Sequence, residues 1–274
     1  MKRTNSASRA EPTAQELFMR QHHRHHRQIA CMRLLLLVLF LIVWEMSART
    51  GLIDSFFFSS PSKVIALLWE MCLDYSIFGH VGITLFETLL SFLLVFIASL
   101  VTATVLWYST RLSEILEPYL VILNSLPKSA LAPLFIVWLG TGTKTIIVAG
   151  ISVAVFGSII SFYTAFKQCD PEKITLIYTL GGSKRDVFRK VVLPASVPLL
   201  LSTTKVNIGL ALVGVIIGEF LAARRGLGYL IIYGSQVFQL NLVILNVLLL
   251  CVIAMGFYKG IQMIEHHIRK KMRL

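Results

Sequence analysis

Long apolar runs broken by short polar ones set the pattern of this chain. A helix needs roughly 20 mainly apolar residues to cross a hydrocarbon layer. Residues 32–48 form the first such run, with Glu45 near its far end. Residues 51–82 mix polar and apolar positions around Phe56, Phe57, Phe58 and Pro61, which predicts an interfacial loop and a short amphipathic helix. The second run, 83–107, carries Thr84, Glu87, Thr88 and Ser91 toward its start and ends on Trp107 and Tyr108, an interfacial anchor. Residues 119–140 are apolar but interrupted by Asn124, Ser125, Pro127, Lys128 and Pro133. Proline removes a backbone donor and kinks a helix, so the third span is placed at about 127–139 behind a bent lead-in. Such a break is tolerated where it lines protein or a water-filled cavity. The fourth span is 145–166, reached through the turn at 140–144. The fifth is 197–222 and the sixth 242–258. Residues 226–239 are nearly as apolar, but Gly226, Gly228, Gly234 and Ser235 break them into a surface helix or re-entrant segment, with a seventh span as the alternative.

Composition agrees with a bilayer as solvent. Hydrophobic residues make up 56% and charged ones 15%, with a mean hydropathy of +0.75. A soluble domain carries about 25% charge. The net charge of +12 would suit nucleic acid, but Lys and Arg gather at the ends of the apolar runs while the aromatic residues sit inside them. Six spans leave both termini on one side. Of the 26 basic residues, only Arg49, Lys63, Lys144, Arg224 and Arg225 then fall on the other. The excess of positive charge puts both termini in the cytoplasm. The first 33 residues are too long for the charged leader of a cleaved signal peptide, so the first span is retained and residues 1–33 form a basic cytoplasmic tail. The membrane-spanning body then covers 34–265, and 266–274 is a second basic tail. Cys31, Cys72, Cys169 and Cys251 lack metal or CxxC spacing and are read as packing residues.

The most distinctive polar stretch is residues 170–194. Asp170 and Pro171 begin a helix as cap and first residue. Gly181 and Gly182 break it, and Ser183 caps a second one. Val187, Phe188, Val191 and Val192 form an apolar stripe there, with Lys184, Arg185, Arg189 and Lys190 facing elsewhere and Pro194 ending the helix. Two short helices around a glycine turn make a compact knob that suits a groove on a partner protein. On the residues alone, an amphipathic interfacial helix fits equally well.

Gly181, Val191, Leu193 and Pro194 are spaced as in the coupling loop of permease subunits of bacterial ATP-binding-cassette importers, which this stretch resembles. The Glu-Ala-Ala run that precedes the glycine in that family is replaced by Thr175, Leu176 and Ile177. The stretch Leu126-Pro127, then Ala130 to Leu134, then Trp138-Leu139-Gly140 resembles the third span of the branch serving nitrate, sulfonate, taurine and thiamine-precursor import. Gly218-Glu219-Phe220 followed by Gly226-Leu227-Gly228 is similar to the end of the fifth span in that branch. The resemblance covers about residues 83–270.

It implies an all-α polytopic permease of the type I importer fold in the bacterial inner membrane, working as a dimer. Its implied partners are a cytosolic ATPase that binds ATP and Mg, an extracytoplasmic solute-binding protein, and lipid. No cofactor is expected in the chain itself. The coupling residues are then Gly181, Ser183, Arg185, Phe188, Arg189, Val191, Leu193 and Pro194, with Phe188 and Val191 as apolar anchors in the ATPase groove and Arg185 and Arg189 as a polar rim. Glu87, Asn124, Ser125, Lys205, Asn207 and Glu219 are candidates for the solute path, because polar groups inside a bilayer are functional by default. Competing readings are snorkelling for Glu87 and Lys205, and a salt bridge from Glu219 to Arg224 and Arg225. The turn at 140–144 lacks Walker spacing, and the histidines at 22, 23, 25 and 26 read as a solvated basic tail. No nucleophile stands with a matching base, so catalysis is not expected. An ion-coupled secondary transporter is the alternative class, though neither an internal repeat nor a mid-span Asp supports it.

Overall fold

In the computed structural model, residues 14–54 and 58–272 are described. Contacts divide the chain into two units, Met1–Lys63 and Val64–Leu274. The first is built on α1 (Ala14–Arg49), so the basic tail is helical from Ala14 and runs unbroken into the first apolar run. Its apolar residues from Leu34 to Val43 all stand exposed, as on a helix that meets lipid. Glu45 ends the helix with work to do: it accepts from Arg49 Nε at 2.6 Å and from the Ser62 amide at 3.1 Å.

The helix α2 (Pro61–Leu73) leads into the second unit. There α3 (Ser76–Tyr108), α6 (Thr143–Lys167), α9 (Leu193–Ala222) and α11 (Leu240–Met272) are each long and apolar enough to cross a membrane. With α1, that makes five such helices among the described residues. α4 (Thr110–Ser125) and α5 (Lys128–Leu139) meet at a 93° bend at Leu126-Pro127, and together they count as a sixth, broken span. The expected interruption is thus a sharp corner, where Leu126 is held extended ahead of the proline ring.

Three helices form the centre: α6 packs along both α3 and α9. Without water to drive helices together, close backbone approach and polar glue do the work. α3 presents Ser91, Val95, Ser99 and Ala103, all buried, at four-residue spacing. Ser91 Oγ donates to the Ile147 carbonyl and Ser99 Oγ to that of Val155, each at 3.3 Å. Between α6 and α9, a methyl group added at Gly214 would lie 2.8 Å from the Gly150 Cα, so those two backbones touch. The segment at 226–239 resolves into α10 (Leu227–Gln236), about 15 Å long at 1.5 Å per residue and too short to span.

Candidate functional site

The stretch between α6 and α9 folds as a knob. α7 (Pro171–Thr179) is capped by Asp170, whose Oδ1 accepts from the Glu172 amide at 2.9 Å. Gly181 closes it in the left-handed region, φ +79°, with its amide on the Tyr178 carbonyl at 3.0 Å. Gly182 follows, its amide on the Ile177 carbonyl at 2.9 Å. Ser183 then starts α8 (Lys184–Val187) with a reciprocal capping box: its Oγ accepts from the Asp186 amide, and its own amide donates to Asp186 Oδ2 at 3.0 Å. The chain continues through a π-helical turn, Phe188–Val192, directly into α9.

Two expectations change here. Pro194 does not end the helix. It sits in the first turn of α9, where its missing donor is absorbed by the wide turn, in which the Leu193 amide reaches back to the Phe188 carbonyl. Phe188 is not an outward anchor either. It is 8% exposed and packs on Trp107, Tyr108 and Phe166, with ring centres 5.1, 5.5 and 5.4 Å away. Val187 and Val192 are fully buried with it, and Val191 is half-buried on the same cluster. The apolar stripe of this helix is therefore the chain's own core contact. Lys184 reinforces it, donating to the Tyr108 carbonyl at 2.9 Å above the Trp107 ring.

What the knob shows to solvent comes from its other helix. Leu176, Tyr178 and Leu180 are 57%, 46% and 75% exposed, and Arg185 and Arg189 on the following segment are also exposed. Leu180 and Tyr178 appear in the sequence only as members of a helical stripe. Their outward direction follows once Ile174 and Ile177 turn to the core.

At the far end of the bundle the polar residues gather around Glu219, which is fully buried. Its Oε1 accepts from Thr84 Oγ1 at 2.6 Å and its Oε2 from the Gly228 amide at 2.5 Å. The Leu227 amide donates in turn to Thr84 Oγ1 at 2.9 Å, and that of Gly226 to His80 Nδ1 at 3.0 Å. One carboxylate thereby ties α3 to the start of α10. Gly226 makes this possible: at φ +121°, with a methyl group there falling 2.4 Å from the Glu219 carboxyl, no other residue fits. The expected bridge from Glu219 to Arg224 and Arg225 does not form, because α9 ends at Ala222 with Glu219 facing inward and both arginines exposed. Glu87 is 1% exposed beside Glu219 and Thr143, which replaces the expectation of snorkelling, and its Oε2 has no hydrogen-bond partner.

The remaining path candidates scatter. Asn124 and Ser125 stand exposed at the α4–α5 corner, where Lys128 Nζ donates to the Asn124 carbonyl and Ser125 Oγ to that of Val121. Asn207 is buried on α9 with its Nδ2 unpartnered, as is Asn246 Oδ1 on α11. Lys205 is not free: it forms an ion pair with Glu265 near the C-terminal end of α11 and lies 5.7 Å from the Tyr258 ring centre. The bundle therefore brings together Glu87 and Glu219 at one end and the knob at the other. It holds Lys205, Asn207, Asn124 and Ser125 apart. Among the described residues no cluster of His, Cys, Asp and Glu could hold a metal.

Comparison with known proteins places this arrangement. A Haemophilus influenzae protein described as "Probable ABC transporter permease protein" is 30% identical over 240 residues, covering 85% of this chain and 94% of its own. The taurine transport system permease protein of Escherichia coli K12 is 23% identical over 238 residues, 85% of this chain and 86% of its own. An inward-facing structure of the MetNI methionine ABC transporter superposes with a TM-score of 0.63 at 19% identity, over 71% of this chain and 96% of that one. The fold is that of a type I importer permease. Residues 95–263 match the binding-protein-dependent transport system inner membrane component family, so the broken span, the knob and the end of α9 all lie inside the match. The chain belongs to this family of multi-pass inner-membrane ABC importer permeases, which carry solute and are not enzymes.

Proposed function

We propose that the chain forms the solute path of an importer and takes its driving force through the 170–194 knob from a separate ATPase that holds ATP and Mg. One observation carries this: a helical hairpin locked on its inner side by Phe188 and bare on its outer side at Leu176, Tyr178 and Leu180. An interfacial helix would turn its apolar stripe to lipid. This one turns that stripe to the bundle and leaves a second apolar patch exposed, with Arg185 and Arg189 exposed as well. Such a patch fits a groove in a partner protein. Because the knob continues into α9 without a break, a push on it moves α9 as a rigid body.

The charge asymmetry of the loops supports a cytoplasmic knob and cytoplasmic termini. Two copies would enclose the path, and a solute-binding protein would dock at the end that carries Arg224 and Arg225. The likenesses to sulfonate, taurine and formylaminopyrimidine permeases support a small anion of the sulfonate class or a thiamine precursor as cargo.

The test is affinity purification of the tagged full-length chain from its native membrane. The wild type should bring down an ATP hydrolase in stoichiometric amount. Leu180→Asp should lose that hydrolase and all uptake while keeping its melting temperature. An eluate of the wild-type chain that never contains an ATP hydrolase would refute the proposal.

A further inference from the structure

α9 and α11 are joined by different means in their two halves. Toward the Arg224 end, Leu212 and Ile216 of α9 share one apolar cluster with Leu242, Leu249, Leu250 and Ile253 of α11. Toward the knob, the two helices border an open cavity of about 920 Å³. Of the residues that line it, Lys205 alone comes from α9 and the rest come from α11. Past Tyr258, only Ile261 and Glu265 of α11 are buried among the described residues. Tyr258, Ile261 and Glu265 follow one another at spacings of three and four, which sets them on one helix face.

Lys205 reaches across to that face. Its ammonium pairs with Glu265 Oε2 and lies over the Tyr258 ring. Arg269, one turn further on, holds Glu265 Oε1 at 2.9 Å, so each carboxylate oxygen has its own cation. The side chains of Lys205 and Glu265 are 18% and 9% exposed, so salt screens the bridge little. That burial sets it apart from the exposed ion pairs of a protein surface, which contribute next to nothing. Apolar packing has no fixed direction, and the cluster at the other end would by itself let the two helices pivot. A charge pair is directed, and losing either partner strands the other in a poorly hydrated place. Lys205 and Glu265 thus hold the two helices at one spacing beside the cavity.

We infer that Lys205 and Glu265 are a positioning pair that couples α11 to α9, so that a push on the knob swings both helices as one body. This rests on the coupling proposed above: the knob runs without a break into α9, and the pair hands that motion on to α11.

The test is a distance measured in the full transporter, purified with its ATPase. Genetically encoded spin labels replace Ser202 on α9 and Met263 on α11, both exposed. The label-to-label distance is read by pulsed electron resonance, with and without a non-hydrolysable ATP analogue. With Lys205 and Glu265 intact, one distance should persist in both states. Lys205→Met should add a second distance, displaced by about 2 Å or more once nucleotide is bound, the scale of helix shifts at moving interfaces. Lys205→Arg keeps the cation and should behave as the wild type. Should Lys205→Met fail to assemble, Glu265→Gln breaks the same pair from the other side. A single distance, unmoved by nucleotide, in the variant that lacks the pair would overturn the inference, as would a distance that shifts with nucleotide while the pair is intact. A wild-type eluate without an ATP hydrolase would instead sink the coupling itself, and this pair's role with it.

Discussion

The two ends of the bundle are held by opposite means. At the knob end, four aromatic rings and three valines lock the loop by apolar packing, and the only charged group in the lock, Lys184, rests on ring faces. At the far end, a single buried carboxylate, Glu219, holds α3 and α10 together through short hydrogen bonds. Apolar packing is non-directional, so a helix fixed that way keeps its contacts through small tilts. Buried hydrogen bonds in a low-dielectric interior are directional, and removing one partner leaves the rest unsatisfied. The knob end is thus held without fixed direction, and the far end by directed bonds that share one acceptor.

Five substitutions sharpen that contrast. Glu219→Ala should be the most damaging, because it orphans the Thr84 hydroxyl and the Gly228 amide in a dry site. The expected loss is about 4 kcal/mol, measured by thermal unfolding in detergent. Glu219→Gln keeps one acceptor and should lose about half as much. Phe188→Ala comes next, at about 3 kcal/mol, as truncation of a buried aromatic demands. Equal tolerance of Glu219→Ala and Glu219→Gln would show that packing, not hydrogen bonding, holds the far end. Ser183→Ala removes one cap and should lower the knob's stability by about 1 kcal/mol, seen as faster amide exchange at Asp186 and Val187. Leu180→Asp should change the melting temperature least, within about 0.5 kcal/mol, and yet abolish uptake, since Leu180 touches solvent and not the core.

Much of this was legible in the sequence, for identifiable reasons. The long apolar runs could only be spanning helices, and the glycine pair between capped segments could only be a turn. Pro127 marked a break, though not that it would turn the chain through 93°. Periodicity also found the stripe of Val187, Phe188, Val191 and Val192. It could not say whether that stripe met a partner or the chain's own helices, because burial against either leaves the same pattern. Trp107 and Tyr108 decide the matter, and they lie some 80 residues away in sequence, beyond any local signal. Glu219 failed in the same way. Arg224 and Arg225 were its nearest partners along the chain, whereas Thr84 and Gly228 are its partners in space. Gly226 and Gly228 were visible as breaks, but their use, letting a backbone close on a carboxylate, needed the fold.

The measurement that bears most directly on the knob is photo-crosslinking in the intact transporter. A photoreactive phenylalanine analogue is placed at position 180 in one sample and at position 188 in another. The account predicts a covalent adduct to the ATPase from position 180 and none from 188. An adduct from 188 with none from 180 would contradict it, since the face buried against Trp107 and Phe166 would then be the one the ATPase grips.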